Sequence, residues 1–479
     1  MRYMAVAASL VLVCGGIVPI AAPVVADSSA AAGSTVIPYD FDGDGYADMT
    51  VGVVGEDLRG VVNAGAAQVL YGSSTGVTSR DQFWHQGTKG VKGALERGDG
   101  FGWALASRDF DGDGYADLAV GIPNEDIRTT RNAGAVQVLY GSAGGLTTRD
   151  QIWHQGKPGV PGGNQRDDMF GATLAAGDFD GDGYADLAIG LPYDKNGAVV
   201  LLPGSSAGLT STGAVRLRQG KDGMPSTPAG YENFGRELAV GDIDGDGVDD
   251  LFISVAFESD NLPSDEAAGS AVHVLRGSAT GVSPTGSQYI RPADLGLPAY
   301  WQIGDMTLSD FNADGRDDLV LSSNVTTATV AVLHGHTDGL HPAALTASTT
   351  PGTDAVWAIP WWDDDTGPNV ASGDLTGDGY ADLAVEIDRG TRVVLGTVAG
   401  LGVTDASWPA NFSEWTDLAV MPFSGGTHAW LAVNTHNDVA VSRGATDGTS
   451  GPVEVWSQAS PGIKGAKERR DMFGQPIGH

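Results

Sequence analysis

Apolar residues in this chain come in short bursts. Runs rich in Val, Leu, Ile, Ala and aromatics, such as ADLAVGIP at 116–123 and GAVQVLYGS at 134–142, are separated by clusters of Gly, Asp, Asn and Ser. Runs of that length and composition, bounded by turn formers, predict β-strands. No stretch carries the 3.6-residue period of a long amphipathic helix.

The bursts belong to a repeating unit. The string DFDGDGYAD stands at 40–48, 109–117 and 178–186, followed by DIDGDGVDD at 242–250, DFNADGRDD at 310–318 and DLTGDGYAD at 374–382. Start-to-start spacings are 69, 69, 64, 68 and 64 residues. Eight residues before three of these strings stands a Phe-Gly pair: Phe101-Gly102, Phe170-Gly171 and Phe234-Gly235. Each unit predicts four strands, in the second copy FGWALASRD, ADLAVGIP, GAVQVLYGS and DQIWHQG. Four antiparallel strands in about 65 residues predict one blade of a β-propeller.

A seventh unit is disguised. Residues 415–433 align without gaps on the fourth unit, with Pro422, Ser424, Gly426 and Trp430 where aspartates stand elsewhere, so 422–430 is a degenerate loop. The chain ends on RRDMFGQPIGH, which matches RDDMFGATLAAG before the third acidic loop. The first acidic loop lacks a Phe-Gly strand of its own. The expectation is an all-β, seven-bladed propeller of four-stranded antiparallel blades, in which Phe473-Gly474 completes the blade that begins at Asp40. Such closure removes the exposed sheet edge.

The first residues predict export. Arg2 supplies a positive n-region, an apolar stretch starts at Met4, and Val24-Val25-Ala26 offers a cleavage site before Asp27. A membrane anchor is disfavoured by Gly15, Gly16, Pro19 and Pro23, and a lipoprotein signal at Cys14 by the bulky Val13. The division is therefore a signal peptide at 1–26 and one propeller at 27–479, secreted, cysteine-free and without disulfides. No later apolar run is long enough to span a bilayer. Glycine, 71 of 479 residues, is about double the usual share, yet 41% hydrophobic residues supply a full core. The net charge of −33 argues against nucleic acid or an anionic membrane as partner.

The acid excess points to bound cations. In D-x-D-x-D-G-x-x-D, side-chain oxygens at positions 1, 3, 5 and 9 and the backbone carbonyl at 7 are all oxygen donors, as Ca²⁺ prefers. The ligand sets are Asp40, Asp42, Asp44, Tyr46 and Asp48; Asp109, Asp111, Asp113, Tyr115 and Asp117; Asp178, Asp180, Asp182, Tyr184 and Asp186; and Asp242, Asp244, Asp246, Val248 and Asp250. The fifth set is Asp310, Asn312, Asp314, Arg316 and Asp318, with Ala313 at position 4. The sixth is Asp374, Thr376, Asp378, Tyr380 and Asp382. A merely solvated acidic turn is the bland alternative, but so many carboxylates in nine residues repel one another without a counter-ion. The helix-loop-helix calcium motif needs Glu at position 12, where this chain has Val51, Val120 and Ile189. Up to six Ca²⁺ are expected, with the sixth loop weakest.

Loops of this form, with Phe-Gly pairs and the G-x-P elements Gly121-Ile122-Pro123 and Gly190-Leu191-Pro192, resemble the FG-GAP repeats of the integrin α-subunit propeller. The resemblance implies a seven-bladed ring with calcium between strands one and two. It implies no particular ligand, and it lies closer to a free-standing bacterial-style FG-GAP protein than to a receptor subunit.

Three motifs are decoys. Arg97-Gly98-Asp99 spells an adhesion tripeptide, but Arg166 and Arg469, with Asp168 and Asp471, share its offset from the next Phe-Gly. Gly72–Gly76 and Gly204–Gly208 match G-x-S-x-G yet fall in hairpin turns. His85 and His154 sit in a repeated WHQG, which favours blade docking over catalysis. No catalytic constellation stands out. The preferred reading is a non-catalytic, monomeric extracellular module for a protein or glycan. The alternative is an extracellular hydrolase or lyase acting on carbohydrate or phospholipid at the propeller mouth. Variable loops opposite the calcium loops are the expected ligand surface. They are 123–133, with Glu125, Asp126, Arg128 and Arg131, and 256–268, with Glu258, Asp260, Asp265 and Glu266.

Overall fold

The computed structural model describes residues 37–226, 228, 232–258, 269–298, 301–323, 329–341, 346–347, 355–358, 369–387, 390–402, 405–408, 418–421, 428–434, 438–445, 450–465 and 473–477. The expected signal segment 1–26, Asp260, Asp265, Glu266 and loop positions 422–427 lie outside them. Among the described residues the strands form seven sheets, six of four strands and one of five. The only helix there is a single 3₁₀ turn, Pro292–Leu295.

Blade two shows the plan. Leu105–Arg108, Asp117–Ile122, Ala135–Leu139 and Asp150–Trp153 pair antiparallel in chain order. Blade five adds a short parallel edge strand, Thr346–Ala347, against Ala355–Ala358. Blade one takes its innermost strand from the far end of the chain. Phe473–Ile477 pairs antiparallel with Met49–Val53, with Val51 opposite Ile477 and Val53 opposite Gln475. The ring therefore closes as the repeat arithmetic requires.

Apolar side chains pack between blades. Seven buried clusters each combine residues of two neighbouring sheets, including one that joins Met49, Val51 and Leu70 of blade one to Ala432, Val439 and Val441 of blade seven. Both faces of each central strand are thus covered. That is why Asp117–Ile122 and Ala135–Leu139 are buried at every residue rather than at every second one.

Two strand limits differ from the sequence expectation. Strand one of blade two begins at Leu105, not Phe101, because Gly102 turns the backbone at φ 94°. Phe101 instead pairs its backbone with Gly65 of the preceding blade, and Phe170 does the same with Gly134, and Phe234 with Gly197. A Cβ on Gly65, Gly134 or Gly197 would stand within 2.4 Å of that phenylalanine's backbone, so glycine is required there. Strand four ends at Trp153, leaving His154 and Gln155 in a turn closed by Lys157 N–H donating to His154 C=O at 3.0 Å.

Candidate metal centres

The second to sixth acidic loops each join strand one to strand two of a blade on one rim of the ring, and the first leads into strand two of blade one, whose strand one comes from Phe473–Ile477. The first aspartate organises each loop: Asp40 Oδ1 accepts from Asp44 N–H at 3.1 Å and Oδ2 from Gly45 N–H at 2.9 Å. The equivalent bonds recur at Asp109, Asp178, Asp242, Asp310 and Asp374. The ninth residue ties the loop to its own blade. Asp48 Oδ2 accepts from Phe41 N–H at 3.0 Å, and Oδ1 from Gly72 N–H, which opens the turn between strands three and four, at 2.8 Å. Val51, Val120 and Ile189, three residues further on, are fully buried strand residues.

Neighbouring loops are linked as well. The N–H at position 8 donates to the C=O at position 1 of the preceding loop: Ala116 to Asp40 at 3.0 Å, Ala185 to Asp109 at 3.0 Å, Asp249 to Asp178 at 3.1 Å, Asp317 to Asp242 at 2.8 Å and Ala381 to Asp310 at 3.2 Å. Ala429 to Asp374, at 2.8 Å, continues the belt into blade seven and places Ala429 at position 8 of the degenerate loop, as the gapless alignment requires. Residue 7 of one loop also covers the position 4 glycine of the previous one. A Cβ on Gly43 would meet the Tyr115 ring at 2.8 Å, and one on Gly112 the Tyr184 ring at 2.6 Å. Both glycines have φ near 68°, whereas Ala313 takes the same conformation at φ 54°.

The loops concentrate carboxylate oxygens. Asp40, Asp42 and Asp48 offer ligand atoms within 4.8 Å of one another, as do Asp109, Asp111 and Asp117; Asp178, Asp180 and Asp186; and Asp242, Asp244 and Asp246. Burial pushes the position 9 carboxyls far up: Asp48 to about 8, Asp117 to about 9, Asp186 to about 7, Asp250 to about 8 and Asp382 to about 7. A positive charge beside such groups favours their ionised form. Two buried oxygens, Asp244 Oδ1 and Thr376 Oγ1, have no hydrogen-bond partner among the described residues. Oxygen-only donors, uncompensated buried carboxylates and orphaned acceptors fit a hard divalent cation.

Arginines also reach these loops, which strand periodicity does not reveal. Arg80 pairs with Asp42 and Arg149 with Asp111, each guanidinium lying over a tyrosine ring, Tyr71 at 3.8 Å and Tyr140 at 4.1 Å. The repeated Arg-Asp after each turn, Arg80-Asp81 and Arg149-Asp150, is the signal that marks them in the sequence.

The decoy motifs are structural. Asp99 is 2% exposed and accepts from Glu96 N–H at 2.7 Å, as Asp168 accepts from Gln165 N–H at 3.0 Å. The Arg-Gly-Asp triplet is thus a blade-opening turn. Ser73, Ser142, Ser205 and Ser278 each donate to a glycine C=O three residues on, stapling the hairpin turns. The glutamine of WHQG docks blades: Gln86 Nε2 donates to Glu125 Oε2 of the next blade at 2.7 Å, and Gln458 Nε2 to Glu56 Oε2 at 2.9 Å.

On the opposite rim, the proposed ligand residues divide. Glu125 is buried and holds Gln86, and Asp126 Oδ1 accepts from Asn132 N–H at 2.9 Å, closing the loop. Arg128 is exposed. Glu258 ends its strand opposite Gly269. Trp103 and Tyr193, unremarked in the sequence, are about half exposed on this rim, at 49% and 53%.

The fold and loops define a closed propeller with acidic hairpins along one rim. The FG-GAP repeat family matches residues 101–139, 170–202 and 234–275, in blades two to four. The matched segments of blades two to four carry FG-GAP repeats. Over 162 residues it is 36% identical to phosphatidylinositol-glycan-specific phospholipase D of Rattus norvegicus, covering 33% of this chain and 18% of that protein. Over 156 residues it is 35% identical to integrin alpha-7 of Rattus norvegicus, covering 32% of this chain and 12% of that one. The chain thus aligns with less than a fifth of the length of either relative. A solved lectin of Agrocybe aegerita, described as recognising non-reducing terminal N-acetylglucosamine, superposes with a TM-score of 0.51 at 16% identity, over 89% of this chain and 94% of that one. That likeness is one of fold. Among the described residues no helix is long and apolar enough to cross a membrane.

Proposed function

We propose that this protein is a secreted, calcium-stabilised propeller that binds an extracellular protein or glycan and performs no catalysis. The observation that carries the reading is the set of four carboxylate triads, each within 4.8 Å, repeated on one rim. Calcium there neutralises the buried aspartates and fixes the hairpins. Asp40, Asp109, Asp178, Asp242, Asp310 and Asp374, with the residues at positions 3, 5, 7 and 9, hold it. The ring then presents the opposite rim as a rigid surface. On that surface exposed Trp103, Tyr193 and Arg128, the last within loop 123–133, offer aromatic faces and a cation. Aromatic faces suit sugar rings and protein side chains alike.

The test is a glycan array and a panel of purified extracellular matrix proteins, probed with the mature chain, with and without a chelator. Binding that needs calcium and is lost in Trp103→Ala or Arg128→Ala supports the reading. Turnover of chromogenic glycosides or of phospholipid by the purified ring overturns its non-catalytic part. Calorimetry that detects no calcium uptake overturns the metal part.

A further inference from the structure

The acidic loops look alike in sequence, but their surroundings differ in one respect. In loops one and two an arginine from the start of strand four crosses to the position 3 aspartate, Arg80 to Asp42 and Arg149 to Asp111. Those aspartates are almost wholly buried, at 6% and 3% side-chain exposure, while the arginines remain half exposed at 49% and 48%. Each guanidinium is braced on a tyrosine ring, and Arg80 Nη2 also donates to Gly144 C=O of the next blade at 3.2 Å. Loop four reaches the same end differently. The tyrosine slot holds Arg276, whose Nη1 lies 3.2 Å from Asp244 Oδ2. In loop five Arg316 lies 2.6 Å from Asp314.

Loop three has no such partner. Its tyrosine slot is Pro203 and its arginine slot is Thr212. Among the described residues no ion pair reaches Asp178, Asp180, Asp182 or Asp186. It keeps the full Asp set, which loop six, with Thr376 at position 3, does not.

We propose that these arginines are resident cations that rank the loops for metal, leaving loop three, Asp178–Asp186, as the tightest site and the last to empty. The inference rests on the calcium reading above. A guanidinium on position 3 supplies positive charge to the carboxylates without metal. It must then share or release an aspartate oxygen when a divalent cation enters, and it repels that cation at short range. Both effects lower affinity at the paired loops. A half-exposed ion pair accounts for a difference of up to about fivefold between loops.

The experiment is calcium calorimetry on the full mature chain in competition with a calibrated chelator. Thermal melting in saturating calcium serves as the folding control. In the wild type one site forms the tight class, and Asp180→Asn removes it. Arg80→Thr with Arg149→Thr, which copies the slots of blade three, moves two further sites into the tight class. Arg80→Lys with Arg149→Lys keeps the wild-type distribution. The converse pair, Pro203→Tyr with Thr212→Arg, weakens the tight site and tests the idea independently should the arginine variants fold poorly. Calcium binding whose tight class survives Asp180→Asn, or is unmoved by the arginine and converse variants, overturns the ranking and spares the calcium reading. No calcium binding by the wild type overturns both.

Discussion

Ala313 is the one acidic-loop residue at position 4 that carries a Cβ, and it sits at φ 54° where Gly43, Gly112, Gly181, Gly245 and Gly377 take 68–75°. The left-handed region costs an L-residue about 1 kcal/mol or more. Ala313→Gly is therefore expected to stabilise the ring by about 1 kcal/mol, read as a higher denaturant midpoint with an unchanged slope. A single altered letter in a repeat of six made this strain visible in the sequence. The same comparison exposes Asn312 and Thr376. It does not pair Arg80 with Asp42: the repeat of Arg80-Asp81 at Arg149-Asp150 marks the arginine, but its partner stands 38 residues away along the chain. Partners that meet only through the fold are silent in a pattern of strands.

At the scale of elements, the turn after strand four decides how blades dock. Ending the strand at Trp84 frees Gln86 to cross to Glu125, a distance of 39 residues along the chain. The repetition of WHQG announces a structural role for the motif. The inward orientation of Glu125, by contrast, is set by the neighbouring blade and could not be read locally. Burial, with Asp99, Glu96 and Asp126 nearby, raises Glu125 to about 7, and burial raises Asp99 likewise to about 7. Both hold a proton in the folded ring where the unfolded chain, with carboxyl pKa values of ~4, has lost it. Their contribution to stability is complete below ~4 and drains away as pH rises through about 7. At fixed saturating calcium the melting temperature is expected to fall between pH 5 and pH 8. Glu125→Gln, which keeps an acceptor for Gln86, should flatten that fall. An identical slope in wild type and variant would count against this assignment.

At the scale of the whole molecule, seven inter-blade cores and one borrowed strand make a closed ring, and the borrowed strand was legible because the repeat starts out of phase with its first strand. Truncation at Gly465 removes Phe473–Ile477 and leaves Met49–Val53 without its inner partner. The expected result is a broad, low-temperature melt or aggregation, measured by calorimetry and light scattering. On the proposed calcium reading, the ion would act on the same ring by mass action. At about one hundred times the dissociation constant, each filled loop adds about 2.7 kcal/mol, so thorough chelation should lower the melting temperature markedly. Equal melts with and without chelator would remove the loops from any stabilising role. The degenerate loop of blade seven, by contrast, has Pro422, Ser424, Gly426 and Trp430 in place of the aspartates at positions 1, 3, 5 and 9, and among the described residues the Ala429–Asp374 bond carries the belt onward. On the calcium reading proposed above, six segments of the rim would tighten like rivets as calcium rises, and the seventh would behave as the expansion joint of the hoop. Amides of Trp430–Asn434 and Val439–Gly444 should exchange with deuterium sooner than their counterparts in blade two, and the gap should widen as calcium is added.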